Sequence, residues 1–219
     1  MEGTVLLTGA GTPLADRVAR GFAERGARVV LGGRDEAAVL DLAEAIEGDG
    51  GWATGLRTDA RDEFDLERLA ETAARFGDGI DVVVPAASVS HGDTGSEPLQ
   101  STSFSAFDDT LRTIARGAFA TIREAVPHLR PDGRVVVPVV RLDERAGAGP
   151  LGVAQAARIA VMAGFAADLD QAVGAVAVDT VPETASAAEL DEAADRIVWV
   201  GTTPDLPLDG AVLDGSDRE

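Results

Sequence analysis

Short runs of apolar and β-branched residues alternate along this chain with longer stretches whose apolar positions recur every three to four residues. Unbroken apolar runs bounded by polar or glycine-rich segments predict strands covered on both faces, and the longer spacing predicts amphipathic helices. Strands are predicted at residues 4–8, 27–31, 52–57, 80–84, 133–140, 173–178 and 210–213. Helices are predicted at residues 14–25, 36–47, 63–76, 107–129, 151–170 and 188–198, with Pro127 in the last turn of the fourth. Regular alternation with right-handed crossovers implies an α/β fold, a three-layer doubly wound parallel sheet of about seven strands in the order 3-2-1-4-5-6-7. No solenoid-length repeat and no linker-like break in composition interrupts residues 1–219, so one domain is expected. The Gly/Ser/Asp-rich stretch 88–105 becomes a loop at the carboxyl edge of the sheet, where such folds bind ligands.

Composition narrows the partners. The 219 residues include 38 acidic and 19 basic side chains, a net charge of −19, which disfavours nucleic acid and anionic lipid as ligands. Every basic residue is Arg, consistent either with codon bias plus solubility or with the acidic surface of a salt-adapted cytoplasm. Absence of Cys removes disulfides, thiolate metal sites and cysteine nucleophiles, and two His without ligand spacing make a transition-metal site an unpromising reading. The start MEGTVLLTGAG has no basic segment followed by a long apolar one, and no window reaches the roughly 18 apolar residues of a membrane span, so a cytoplasmic protein with no membrane attachment is expected.

The segment Thr8-Gly9-Ala10-Gly11-Thr12-Pro13 joins the first predicted strand to the first helix. Glycines there allow a tight turn, and the helix start offers free N–H groups to a pyrophosphate. The longer run VLLTGAGTPLADRVARGFAERGARVVLGGRDEAAV resembles the opening of the short-chain dehydrogenase/reductase family, whose fingerprint is TGxxxGxG on a Rossmann-like fold. Gly9 matches the first glycine, whereas the second falls on Pro13 and the third on Ala15. The resemblance implies cofactor contacts at Gly9, Gly11, Thr12, Arg34, Asp59 and Ala86. Arg34 stands where NADP-preferring members place a cation for the 2′-phosphate, and Asp59 where the family's Asp meets the adenine. The family's NNAG turn corresponds to Pro85-Ala86-Ala87-Ser88, without either asparagine. NADP is therefore the implied cofactor if one is retained. The closing PLDGAVLDGSD resembles the family's last strand and Asp-Gly turn.

The same resemblance implies an Asn–Ser–Tyr–Lys proton-transfer set, and here it fails. Counting back from Gly117 puts the Asn position on Ile114. The Ser position falls on Val139 or Val140, and counting back from FAADL puts Tyr and Lys on Leu151 and Gln155. Each role needs a particular group, and the sequence contains no Tyr, Lys or Asn. The family's substrate-covering insertion after the sixth strand is reduced to a short link through residues 179–182.

Substitute chemistry is confined to Ser88, Ser90, His91 and Asp93, where a His beside Ser and Asp could act as a base, or where a polar loop simply turns. His128 is expected to cap the end of the fourth helix. The predicted helices 107–129 and 151–170 are apolar around much of their surface, implying burial on more than one side. In the resembled family these helices form a four-helix interface between subunits, and packing on the sheet alone is the other reading. The leading expectation is a catalytically degenerate, oligomer-forming subunit, pairing with itself or with an active homologue. The alternatives are an atypical NADP-dependent oxidoreductase or isomerase using His91 and Ser90, and a nucleotide-sensing regulator.

Overall fold

The computed structural model describes residues 2–88, 98–141, 149–179 and 184–214. Seven strands form one parallel sheet in the order β3-β2-β1-β4-β5-β6-β7. They are β1 (Thr4–Thr8), β2 (Arg28–Gly33), β3 (Trp52–Arg57), β4 (Ile80–Pro85), β5 (Leu129–Val140), β6 (Ala172–Val178) and β7 (Val212–Leu213). The central strand β1 is buried at all five positions, because helices cover both faces, and this is why its sequence reads TVLLT without alternation.

The helices divide between the faces. On one side, α1 (Pro13–Glu24), α2 (Glu36–Gly48) and α7 (Ala187–Thr202) bury Phe22, Val39 and Ile197 against the sheet. On the other, α3 (Glu63–Gly77), α5 (Gly117–Ala125) and α6 (Gly149–Asp168) bury Leu69, Ile122 and Met162. Local start signals agree with the fold. The Asp35 carboxylate accepts the Ala38 N–H at the start of α2, the Asp62 carboxylate accepts from Phe64 and Asp65, and Ser186 with Glu189 forms a capping box on α7.

The helix predicted at 107–129 is the main correction. The chain enters a helix earlier, as α4 (Phe104–Leu111), loosens into a π-helical turn over Arg112–Arg116, and resumes as α5. It leaves the α-helix at Ala125, because Pro127 lacks an N–H and cannot continue the ladder, and Val126–His128 is a 3-10 turn. His128 is therefore not a cap within the helix, and sits half-buried in that turn. Strand β5 then starts at Leu129, four residues before the predicted start, pairing with Ile80 before a register shift ahead of Arg134.

Helix α6 bears on two further expectations. By length and composition it could cross a membrane, yet it is the crossover between the parallel strands β5 and β6 and buries Met162 on the sheet. Nor is it covered on all sides. Leu151, Ala154, Gln155, Arg158 and Met162 form its buried stripe, whereas Ile159, Ala160, Ala163, Gly164 and Ala167 are exposed.

Candidate functional site

The turn from β1 to α1 lies at the carboxyl edge of the sheet and is held from two sides. Gly9 has φ +93°, and a Cβ there would stand 2.6 Å from the Ala87 nitrogen, so only glycine lets β1 end against the turn that follows β4. The Thr8 hydroxyl accepts the Ala87 N–H at 3.3 Å, tying the two turns together. Gly33, at the end of β2, is required for a related reason: a Cβ would run into the Ala10 carbonyl oxygen.

The donors of this turn are partly spent within it. Thr12, at the cap position of α1, donates its hydroxyl to the Gly9 carbonyl at 2.8 Å and does not cap the helix with its side chain. Pro13 contributes no N–H. The Asp16 carboxylate bends back from the first turn of α1 and accepts the Gly11 N–H at 2.8 Å. Partial burial raises the Asp16 pKa above the ordinary carboxylate range, opposed by the Gly11 hydrogen bond and the charges of Arg20 and Arg17. An acidic side chain thus occupies a donor where a pyrophosphate would approach.

Beside the turn lies a pocket of about 260 Å³, walled by Gly9, Gly11, Thr12, Arg34, Asp59 and Arg61 among others. The structure therefore brings five of the six expected cofactor-contact residues to one cavity. The sixth, Ala86, is buried behind Ala87, which lines the wall instead. Arg34 is exposed at the rim and makes no ion pair among the described residues. The volume suits the nucleoside end of a dinucleotide rather than the whole.

Arg61 was not singled out from the sequence, although the run TDARDE places it two residues after Asp59. Its Nη2 lies 3.0 Å from Asp59 Oδ2, its Nε reaches both carboxylate oxygens at 3.1 and 3.3 Å, and its backbone N–H donates to Oδ1 at 3.0 Å. The Arg61 hydrogen bonds hold the Asp59 carboxyl below its usual range, and Asp59 in turn raises the Arg61 pKa. Arg116 fixes the pair from outside by donating to the Arg61 carbonyl at 2.8 Å, and Asp109 lies 3.5 Å from Nη1.

Two of the positions aligned with the family's proton-transfer set, Ile114 and Leu151, meet as an apolar contact. Ile114, Leu151 and Ala154 form a separate buried cluster with Leu111 packed against it. Val139 is buried within the sheet layer, and the Gln155 side chain accepts the Val140 N–H at 3.3 Å. Ile114 lies within the π-helical turn Arg112–Arg116, which no Pro or Gly in the turn announces. One turn beyond Gln155, the Arg158 guanidinium is wholly buried and donates from Nη2 to the Pro85 carbonyl at 2.5 Å. Burial pushes its pKa down to about 9, which leaves it cationic at neutral pH. The backbone of Ser88 closes a 3-10 turn after β4, whereas Ser90, His91 and Asp93 lie outside the described residues.

A family model described as Enoyl-(Acyl carrier protein) reductase matches residues 9–198, from the glycine turn into the last helix. This chain belongs to the short-chain dehydrogenase/reductase family. It is 32% identical over 140 residues to versicolorin reductase 1 of Aspergillus parasiticus, covering 63% of this chain and 52% of that protein. It is 33% identical over 141 residues to L-rhamnose 1-dehydrogenase (NAD(P)(+)) of Azotobacter vinelandii, covering 61% of this chain and 52% of that protein. The matches thus span about half the length of these curated relatives. A dehydrogenase/reductase from Sinorhizobium meliloti superposes with a TM-score of 0.84 at 24% identity, over 100% of this chain and 96% of that one, which establishes the shared fold.

Proposed function

We propose that this short-chain dehydrogenase/reductase family member is a non-catalytic subunit that keeps the nucleotide pocket and associates with itself or with an active homologue. The observation that carries the reading is the apolar cluster of Ile114, Leu151 and Ala154. It fills the positions where a phenol and a carboxamide would act, beside a Gln155 amide already bound to the backbone. NADP, when bound, supplies a hydride. This chain offers no Tyr, Lys or Asn to move the accompanying proton. Arg34 at the rim suits a 2′-phosphate, and Gly9, Gly11 and Thr12 line the same pocket. The exposed apolar stripe of α6, with Phe119 of α5 exposed beside it and 5.9 Å from the Phe165 ring, supports association through these helices.

The test combines two measurements on the purified chain. Calorimetry is expected to show NADPH binding, and carbonyl-reductase assays are expected to show no turnover without a homologous partner. NADPH-coupled reduction by the chain alone would refute the reading, as would elution as a lone monomer that captures no homologous subunit. The relatives' names as reductases and dehydrogenases favour a second reading, an unusual enzyme using His91 and Ser90. Turnover lost in His91→Ala would establish it.

Asp16 makes the binding itself pH-dependent. Its carboxylate repels phosphate, and its raised pKa means that charge is lost at a higher pH than for an ordinary Asp. As pH falls toward that pKa the repulsion disappears, so NADPH affinity is expected to rise on acidification. Asp16→Asn is expected to bind NADPH about tenfold more tightly at neutral pH and to flatten the pH profile, the scale of removing one nearby like charge. Titrations from neutral pH downward compare the two proteins, and parallel profiles would contradict the role given to Asp16.

A further inference from the structure

A threonine inside a helix commonly turns its hydroxyl back to the carbonyl four residues earlier, and this chain follows that habit. Thr72, Thr110, Thr121 and Thr202 each donate to that carbonyl at 2.7–2.8 Å. Thr113 departs from it. The residue is 8% exposed, and its hydroxyl oxygen is sealed from water without a hydrogen-bond partner. An unpaired buried hydroxyl costs stability, so its presence in a packed region calls for a physical reason. Thr113 lies in the π-helical turn Arg112–Arg116, and such turns within α-helices are rare and frequently stand at functional sites. Here the turn delivers consecutive residues to different surroundings: Ile114 enters the apolar cluster, and Thr113 forms part of the wall of the 260 Å³ nucleotide pocket. Two other threonines of that wall have spent their hydroxyls within the protein, Thr12 on the Gly9 carbonyl and Thr58 on the Leu56 carbonyl. Thr113 has not.

We propose that Thr113 is a further binding residue of this pocket, its hydroxyl held unpaired until a polar atom of the bound nucleotide pairs with it. The proposal rests on the nucleotide-binding reading above. A helical threonine has two accessible χ1 rotamers, and rotation about that bond exchanges its methyl for its hydroxyl at the cavity wall. A hydroxyl both donates and accepts, so it completes either polarity that the ligand presents. The stability that the fold forgoes at Thr113 is recovered when the ligand binds.

The probe is NADPH, titrated calorimetrically into the wild-type chain, Thr113→Val and Thr113→Ser, with urea denaturation of all three proteins. Valine keeps the branched shape and removes the hydroxyl, whereas serine keeps the hydroxyl. Thr113→Val is expected to bind NADPH about tenfold more weakly, the scale of one hydrogen bond lost with its partner left unpaired. It is expected to unfold at a urea concentration no lower than the parent's, because the group removed has no partner within the protein. Thr113→Ser is expected to bind nearly as the wild-type chain does. Affinity lost without stability lost separates a ligand contact from a hydroxyl that only supports the fold. Wild-type affinity in Thr113→Val, equal weakening in both variants, or a lower urea midpoint for Thr113→Val overturns the role of Thr113 while leaving nucleotide binding intact. If none of the three proteins binds NADPH, the nucleotide-binding reading falls and this inference with it.

Discussion

Replacing Arg158 with Ala is expected to destabilise the fold by about 3 kcal/mol, and replacing it with Met by about 1 kcal/mol or less. Arg158 is the largest wholly buried side chain among the described residues, reaching from the buried stripe of α6 to the Pro85 carbonyl at the end of β4. Alanine removes both the volume and the donor. Large-to-small changes in a core cost about 2–5 kcal/mol, and a lost hydrogen bond from a charged donor costs about 1.5–3 kcal/mol. Relief of the buried charge offsets part of this sum. Methionine restores most of the volume without the charge, and exchanging a buried ionic group for a well-packed apolar one is often close to neutral. Urea denaturation of the three proteins separates the contributions. Equal losses in both variants would mean that the charge and its hydrogen bond dominate. No loss in either would mean that the side chain is not enclosed.

Gly9→Ala is the second large effect, and its cause is local backbone geometry. With φ at +93°, alanine is strained by about 1–3 kcal/mol, and its Cβ would press on the Ala87 backbone 2.6 Å away. Overpacking against backbone adds about 1–3 kcal/mol, so a loss of about 3 kcal/mol or more is expected, together with loss of any nucleotide binding at the turn. Gly164→Ala on α6 is the matched control. A Cβ there meets nothing within 4 Å, and alanine in a helix interior is favoured by about 1 kcal/mol, so this variant should be more stable than the parent. Opposite signs for these two Gly→Ala changes in one denaturation series check the geometry assigned to the glycine turn. The same sign in both would contradict it.

The glycine turn and its neighbours were largely legible in the chain. Gly9, Gly11, Thr12, Arg34 and Asp59 reach one cavity because each lies at or just beyond the carboxyl end of β1, β2 or β3, and strand order follows from the alternation of short apolar runs with amphipathic ones. Arg61 escaped notice because its importance is relational. It is one arginine among 19, and only the fold of the β3–α3 connection turns it back onto Asp59.

Amino-acid order by itself determined the layered α/β architecture, the seven parallel strands and the missing phenol, ammonium and carboxamide, because periodicity and composition are properties of the chain alone. Tertiary structure decided what occupies the vacated positions. The apolar cluster of Ile114, Leu151 and Ala154 joins residues from separate helices, Arg158 reaches the end of β4 across 73 positions, and Asp16 settles on Gly11 only once the turn has formed. Contacts between residues distant along the chain depend on how helices pack onto the sheet, which no local spacing encodes.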